Sequence, residues 1–217
     1  MRVLAWSLSV LAVALAAGGT SVAADDPAAD PAPRDWAYSL LANAYIFPGD
    51  AEDEEDFLLG VAAADRGALH LEARWNYEAL DTGSLWAGWN WSTGETVELE
   101  LTPMLGAVLG ETDGVAPGLE LSLAWRRLDY YLESEAVFDL DDRDESFVYG
   151  WSELAVSPVD WLRVGIVAQR TRVYQTERDV QRGVLAQFVL GVTTVGAYWF
   201  NPGEDDSFTV AVVQLDF

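Results

Sequence analysis

The stretch SFTVAVVQLDF, residues 207–217, decides the fold, because its side chains alternate in polarity. Counting back from Phe217, every second position holds an apolar residue, and these are Leu215, Val213 and Ala211. A strict period of two predicts a β-strand with one apolar face and one polar face. The question is whether the rest of the chain repeats this period.

Alternation of this kind recurs along most of the chain, and we find no persuasive helical period after residue 36. Turn residues separate about twelve alternating segments: 37–47, 56–65, 68–79, 84–92, 95–108, 117–127, 128–139, 145–157, 160–173, 181–190, 192–201 and 207–217. Most of them have the ~9–11 residues that a tilted membrane strand needs. The prediction is an all-β, antiparallel up-and-down transmembrane barrel of about 12 strands, with 10 strands as the alternative.

The connections between these segments also alternate in character. Tight turns such as DRG at 65–67 are followed by longer, acidic loops such as DAEDEED at 50–56 and LDDRDE at 140–145. Outer-membrane barrels have short turns at one end and long loops at the other. An even number of strands places both chain termini at the short-turn end.

Composition limits the remaining possibilities. The chain has 217 residues, a formal charge of -24, one histidine and no cysteine. So acidic a chain is unsuited to nucleic acid, because phosphate binding needs a basic surface. Residues 1–24 have the basic start, short apolar run and small-residue site of a cleaved signal peptide. Residues 25–35 are predicted to be a flexible linker and residues 36–217 the barrel.

Aromatic side chains are predicted to form two belts at the membrane interfaces. The belt at the end with the termini comprises Trp36, Trp89, Trp91, Trp125, Tyr130, Trp161 and Phe217. The belt at the loop end comprises Phe47, Phe57, Trp75, Tyr77, Phe138, Phe147, Trp199, Phe200 and Phe208. The face to which Trp151 belongs stays open.

With its signal peptide, alternating strands, aromatic belts and terminal Phe217, the chain resembles the Gram-negative outer-membrane β-barrel proteins. The resemblance implies a location in the outer membrane and contact with its lipid. It also implies that the barrel-assembly machinery reads the last strand, with Ala211, Val213, Leu215 and Phe217 as the assembly signal. The alternative is a secreted soluble β-sandwich or lipocalin-like barrel, in which the apolar face points inward.

If the apolar face meets lipid, the polar face lines the lumen. The predicted lumen wall consists of Glu72, Arg74, Glu98, Glu100, Glu120, Glu133, Glu135 and Arg163. Such a wall suits a narrow porin-like channel for small solutes or cations. It suits equally a structural or surface-interaction barrel, with acidic outer loops, in which Glu–Arg pairs plug the lumen. The facing of Arg170 and Arg172 stays open, because their positions have the opposite parity to Arg163.

Other chemistry has little support in the sequence. His70 lies on a polar strand face and is expected to form hydrogen bonds in the lumen. Without a matching serine, an enzyme is not predicted, and a membrane-embedded hydrolase is the least favoured alternative. No zinc-ligand spacing, phosphate loop or cofactor motif is present. The acidic loops are expected to be solvated, with divalent-cation binding as a weaker possibility.

Overall fold

A computed structural model describes residues 35–48, 55–173 and 179–217. The predicted signal peptide, most of the predicted linker and most of the acidic loop at 50–56 lie outside these residues. None of the described residues forms a helix with the length and hydrophobicity of a transmembrane segment.

The described chain is built almost entirely of antiparallel strands. The first six are β1 Ala37–Ile46, β2 Phe57–Arg66, β3 Leu69–Trp75, β4 Gly83–Trp89, β5 Trp91–Thr93 and β6 Glu98–Leu109. They are followed by β7 Gly114–Trp125, β8 Leu128–Asp139, β9 Phe147–Val159, β10 Leu162–Val173, β11 Asp179–Leu190, β12 Thr193–Phe200 and β13 Phe208–Asp216. A single 3₁₀ turn, Arg143–Glu145, lies in the loop between β8 and β9.

Strands that follow one another in the chain pair with each other, except β4 and β5, and two further pairings close the sheet into a barrel. Strand β1 pairs with β13, with Leu40 opposite Leu215, and β4 pairs with β6. Tyr38 and Phe217 exchange backbone hydrogen bonds of 2.7 and 2.9 Å at this closure. The predicted 12-strand barrel is therefore confirmed, with both described chain ends at the end that has the tight turns, here called the terminal end.

The short strand β5 continues the line of β4. The register with β6 is the same on both sides of the gap, with Gly88 opposite Met104 and Trp91 opposite Leu101. Pro103 lies opposite the gap, and a proline has no N–H to donate to the neighbouring strand. The missing donor accounts for the break in what the sequence predicts as one segment, 84–92.

The apolar face of the strands points outward, as the membrane interpretation predicts and the soluble alternative does not. Leu85, Leu105 and Ile166 are 64%, 62% and 58% exposed on the outside of the barrel. In the last strand Val213 and Phe217 are exposed, whereas Gln214 is buried inside. A continuous apolar exterior of this kind is unusual in soluble proteins and typical of a surface that meets lipid.

The predicted aromatic belts are confirmed at the terminal end and partly wrong at the loop end. All seven predicted members at the terminal end are at least partly exposed. At the loop end Trp75, Phe138 and Trp199 are exposed, but four predicted members are buried inside: Tyr77, Phe147, Phe200 and Phe208. The last two members, Phe47 and Phe57, are half-buried and pack against this interior. Asn76, with φ of 53°, interrupts the alternation after β3 and turns Tyr77 inward. Phe147, Phe200 and Phe208 lie on the strand faces whose side chains point into the lumen.

Candidate functional site in the barrel lumen

Strand β3 places three charged or titratable side chains inside the barrel. His70, Glu72 and Arg74 are 2%, 4% and 4% exposed, and the intervening Leu71 and Ala73 point outward. Because side chains alternate across a strand, one run of HLEAR supplies both the lipid surface and this inner stripe.

Arg74 connects opposite parts of the wall. Its Nε donates to Glu72 Oε2 at 2.6 Å, and its Nη1 donates to Glu133 Oε1 and Glu135 Oε2, each at 3.1 Å. Glu133 and Glu135 lie on β8, which is separated from β3 by β4, β6 and β7. These four residues, here called the Arg74 bridge, therefore cross the lumen.

Two aromatic rings hold the guanidinium in place. The Arg74 Cζ atom lies 4.1 Å from the ring centroid of Tyr77 and 4.4 Å from that of Trp86. Cation–π contacts of this kind strengthen in a desolvated site. The Tyr77 hydroxyl also donates to Glu133. Burial and the neighbouring Glu133 carboxylate raise the pKa of Tyr77 well above its usual range, so the hydroxyl keeps its proton.

Glycines make room for the Trp86 ring. A Cβ atom added at Gly106 would lie 2.5 Å from the indole, and one added at Gly118 would lie 2.8 Å from it. Both distances are far shorter than any ordinary carbon–carbon contact. The two glycines on β6 and β7 therefore form a recess in the wall, into which the indole that supports Arg74 fits.

Arg163 forms a second, separate network along the wall. Its Nη1 donates to Glu153 Oε2 at 2.6 Å and to Gln187 Oε1 at 2.8 Å, and its Nε donates to Asp129 Oδ1 at 3.0 Å. The Trp151 indole N–H donates to Glu153 at 2.9 Å. Arg163 faces inward as predicted, and Trp151 shares that face.

The arginines of opposite parity do not extend this network. Arg170 and Arg182 are exposed, on the opposite strand face to Arg163. The side chain of Arg172 lies outside the described residues, although its backbone pairs with Val148. The two inward-facing arginines, Arg74 and Arg163, are each surrounded by acidic partners, so the described wall is acidic with local ion pairs.

Aromatic side chains fill the lumen toward the loop end. Trp151 packs edge-on against Tyr198 and Phe200, with ring centroids 5.3 and 5.5 Å apart. Phe208 stacks on Phe200 at 4.8 Å and approaches Tyr45 at 6.1 Å. These five residues form what we call the aromatic cluster, and four of them have no exposed surface. Aromatic rings from β1, β9, β12 and β13 therefore occupy part of the interior at this level.

Two members of the predicted wall lie apart from both networks. Glu98 and Glu100 are exposed at the terminal end of β6, where they line a cavity of about 340 Å³ together with Ser122. This cavity, here called the mouth cavity, is continuous with the inner wall, because Glu100 pairs with Ser122 and the next inward pair is Thr102 with Glu120. The eight predicted residues thus divide among the mouth, the Arg74 bridge with Glu120, and Arg163.

His70 is confirmed as a hydrogen-bonding residue of the lumen. Its Nδ1 lies 2.8 Å from Asp65 Oδ1, and the same oxygen accepts from Asn90 Nδ2 at 2.6 Å. Its Nε2 lies 3.1 Å from Glu72 Oε1. The structure also brings Glu120 to this place, so that one potential ligand atom from each of His70, Glu72 and Glu120 lies within 4.8 Å of the other two.

The acidic loop between β8 and β9 uses its carboxylates locally. Asp139 Oδ1 accepts from the backbone N–H groups of Asp141 and Asp142 at 2.8 and 2.7 Å, and Asp142 caps the 3₁₀ turn. Cation binding by this loop stays a prediction.

Comparison with known proteins supports the fold. No protein-family model matches the chain, and no curated protein matches it in sequence. Among solved structures, it is similar to the KdgM porin, with a TM-score of 0.58 and 11% identity, over 82% of this chain and 99% of that one. The KdgM porin in complex with disordered oligogalacturonate gives the same values. Pseudomonas aeruginosa OccK5 (OpdH) has a TM-score of 0.44 and 8% identity, over 81% of this chain and 62% of that one.

The KdgM similarity at such low identity concerns the fold, and it agrees with the closed sheet, the apolar exterior and the polar interior described above. The chain has the fold of an outer-membrane porin-like β-barrel.

Proposed function

We propose that the protein is a narrow, non-enzymatic porin-like channel that passes small cations across the outer membrane after export by residues 1–24. One observation carries this proposal: four buried carboxylates, Glu72, Glu120, Glu133 and Glu135, lie inside the barrel, and three of them share the guanidinium of Arg74. Carboxylates in excess over cationic groups along a lumen attract cations and repel anions.

The same charge argues against a role in passing acidic oligosaccharides. The KdgM porin has been described with bound oligogalacturonate, a chain of sugar acids. In the present chain Glu98 and Glu100 stand at the mouth and further carboxylates follow inside. A polyanion would meet repulsion at each of these levels.

A catalytic role lacks support in the geometry around His70. Within residues 35–48, 55–173 and 179–217, no serine or threonine hydroxyl is hydrogen-bonded to its ring, which contacts the carboxylates of Asp65 and Glu72. A nucleophile activated by an adjacent base is the arrangement that hydrolysis would need.

Selectivity in a planar lipid bilayer tests the proposal. The refolded protein, placed in a potassium chloride gradient, should conduct weakly. The sign of its reversal potential should show that potassium passes more readily than chloride. Glu100→Gln should reduce that preference, because it removes one charge from the mouth cavity. The matched control is Asp160→Asn, which removes one charge from a 97% exposed side chain in a turn at the same end. An anion preference, or equal effects of the two substitutions, would contradict the proposal.

A second function is favoured by the aromatic cluster and the Arg74 bridge together. Trp151, Tyr198 and Phe200 have no exposed surface, and the bridge crosses the lumen from β3 to β8. A barrel filled in this way can serve as a stable structural or surface-interaction protein without conducting. Absence of current at every voltage, from protein that folds correctly, would select this function over the channel.

A further inference from the structure

His70, Glu72 and Glu120 together have the composition of a divalent metal site. One nitrogen and two carboxylate oxygens, each from a buried side chain, lie within 4.8 Å of one another. Imidazole nitrogen combined with carboxylate oxygen suits zinc and similar first-row transition metals, whereas calcium and magnesium prefer oxygen ligands alone.

The orientation of the histidine ring provides independent support. His70 is 2% exposed, and among the described residues its Nε2 has no hydrogen-bond partner. Glu72 Oε1 lies only 3.1 Å from it. When Nδ1 carries the ring proton toward Asp65, Nε2 is an acceptor that faces a carboxylate oxygen, and a cation between these two acceptor atoms would satisfy both.

The separation of Nε2 and Oε1 is similar to that of two atoms that bind one metal ion. Tetrahedral zinc binds nitrogen and oxygen at ~2.0–2.2 Å, which places two of its ligand atoms about 3.4 Å apart, each directed at the metal. The observed 3.1 Å between Nε2 and Oε1 is close to this separation. Glu120 supplies the third candidate ligand atom, within 4.8 Å of the other two.

The residues that hold His70 and Glu72 in place are also of the kind that metal sites have. A metal-binding histidine commonly donates its other ring N–H to a carboxylate, which fixes the tautomer. Asp65 supplies that carboxylate 2.8 Å from Nδ1, and Asn90 in turn holds Asp65. Glu72 is oriented by Arg74, whose Nε binds the oxygen that does not face His70.

Charge and access favour a cation here. Glu120 stands opposite Glu133 in the β7–β8 register, so its carboxylate adds to an already acidic surrounding. A buried carboxylate without a cationic partner either takes up a proton or coordinates a metal. The mouth cavity lies beside the cluster, since its lining residue Glu100 precedes Thr102, the partner of Glu120, by two residues along β6.

We propose that His70 Nε2, Glu72 and Glu120 bind one divalent transition-metal ion, with Zn²⁺ as the probe, inside the terminal end of the barrel. This site goes beyond the proposed channel and does not require conduction. It would bind the same ion in a plugged barrel.

Equilibrium binding to the full barrel in detergent tests the site. Chelator-treated wild-type protein should bind one equivalent of Zn²⁺ that excess Mg²⁺ does not displace. His70→Gln and Glu120→Gln should each weaken binding by more than tenfold, and Asp65→Asn by roughly 10–100-fold, because Asp65 orients the ring of His70. Glu98→Gln, a carboxylate of the mouth cavity, is the matched control and should bind as the wild type does. Undiminished binding by His70→Gln, or displacement by Mg²⁺, would overturn the proposal.

A second measurement needs no substitution and so does not depend on whether a variant folds. The chain contains one histidine, so ¹⁵N-histidine labelling gives the ring signals of His70 alone. Saturating Zn²⁺ should shift the Nε2 resonance strongly and the Nδ1 resonance weakly. Unchanged ring resonances would refute the site. Neither result depends on bilayer current, so the channel and the metal site can fail separately.

Discussion

Replacing Arg74 by methionine tests the bridge most directly, because methionine keeps an unbranched, flexible stem and removes the charged guanidinium. The change deletes three charge-assisted hydrogen bonds, to Glu72, Glu133 and Glu135. At about 1.5–3 kcal/mol each they would sum to about 4.5–9 kcal/mol, which is an upper limit because all three share one group and are not additive. Removing one partner from a buried ion pair costs about 3–5 kcal/mol, and this is the expected loss in free energy of unfolding.

Urea unfolding in lipid vesicles, followed by heat-modifiable migration on a gel, measures that loss. The control is Arg127→Met, because Arg127 lies on the rim with its side chain 57% exposed. An exposed pair of this kind contributes about 0–1 kcal/mol. In the Arg74→Met background, Glu135→Gln should recover part of the loss, because it removes a carboxylate that has lost its cation.

A loss below about 1 kcal/mol for Arg74→Met, equal to that of the Arg127 control, would refute the reasoning. It would mean that pairing with the Arg74 guanidinium does not contribute to the stability of the barrel. Conductance gives a second readout. Arg74→Met should carry a larger cation current than the wild type, because the substitution removes a positive charge from the lumen. Arg127→Met should carry the same current as the wild type.

Two further predictions concern the wall and the chain end. Gly106→Ala should destabilise the barrel by about 1–3 kcal/mol in the same urea assay, because the new Cβ overlaps Trp86. Gly60→Ala should have little effect, since its Cβ would meet its nearest neighbour at 3.8 Å, and equal effects would contradict the recess. Phe217→Ala should lower the yield of heat-modifiable barrel in cells if the last strand is the assembly signal. Phe138→Ala, which removes a 53% exposed ring at the other end, is the control, and an equal yield from both would count against that role.

Much of the fold was predictable because strand alternation is a local property. Side chains alternate across a strand wherever the chain is extended, so the polarity of each face can be read from the neighbours of any residue. This reasoning assigned Glu72, Arg74, Glu120 and Glu133 to one face correctly. It missed Glu153 as a lumen residue, although that residue shares its parity with Trp151, whose face had been left open.

Local alternation fails where the backbone leaves the extended conformation. Tyr77 was predicted to face lipid by extending the parity of β3, but Asn76 adopts a left-handed conformation and reverses the direction of the next side chain. Nothing in the residue types around Asn76 required that turn, because asparagine tolerates the conformation without being committed to it.

The sequence by itself predicted the alternating strands, about 12 of them with 10 left open, and the polarity of their faces, since alternation depends on near neighbours in the chain. Only closure of the barrel decided which residues meet inside it. Arg74 contacts Glu133, 59 positions away, because β3 and β8 face each other across the lumen. His70 and Glu120 come together for the same reason. Such contacts depend on the register and curvature of all the strands that lie between the two residues. The spacing of residues in the sequence does not predict them.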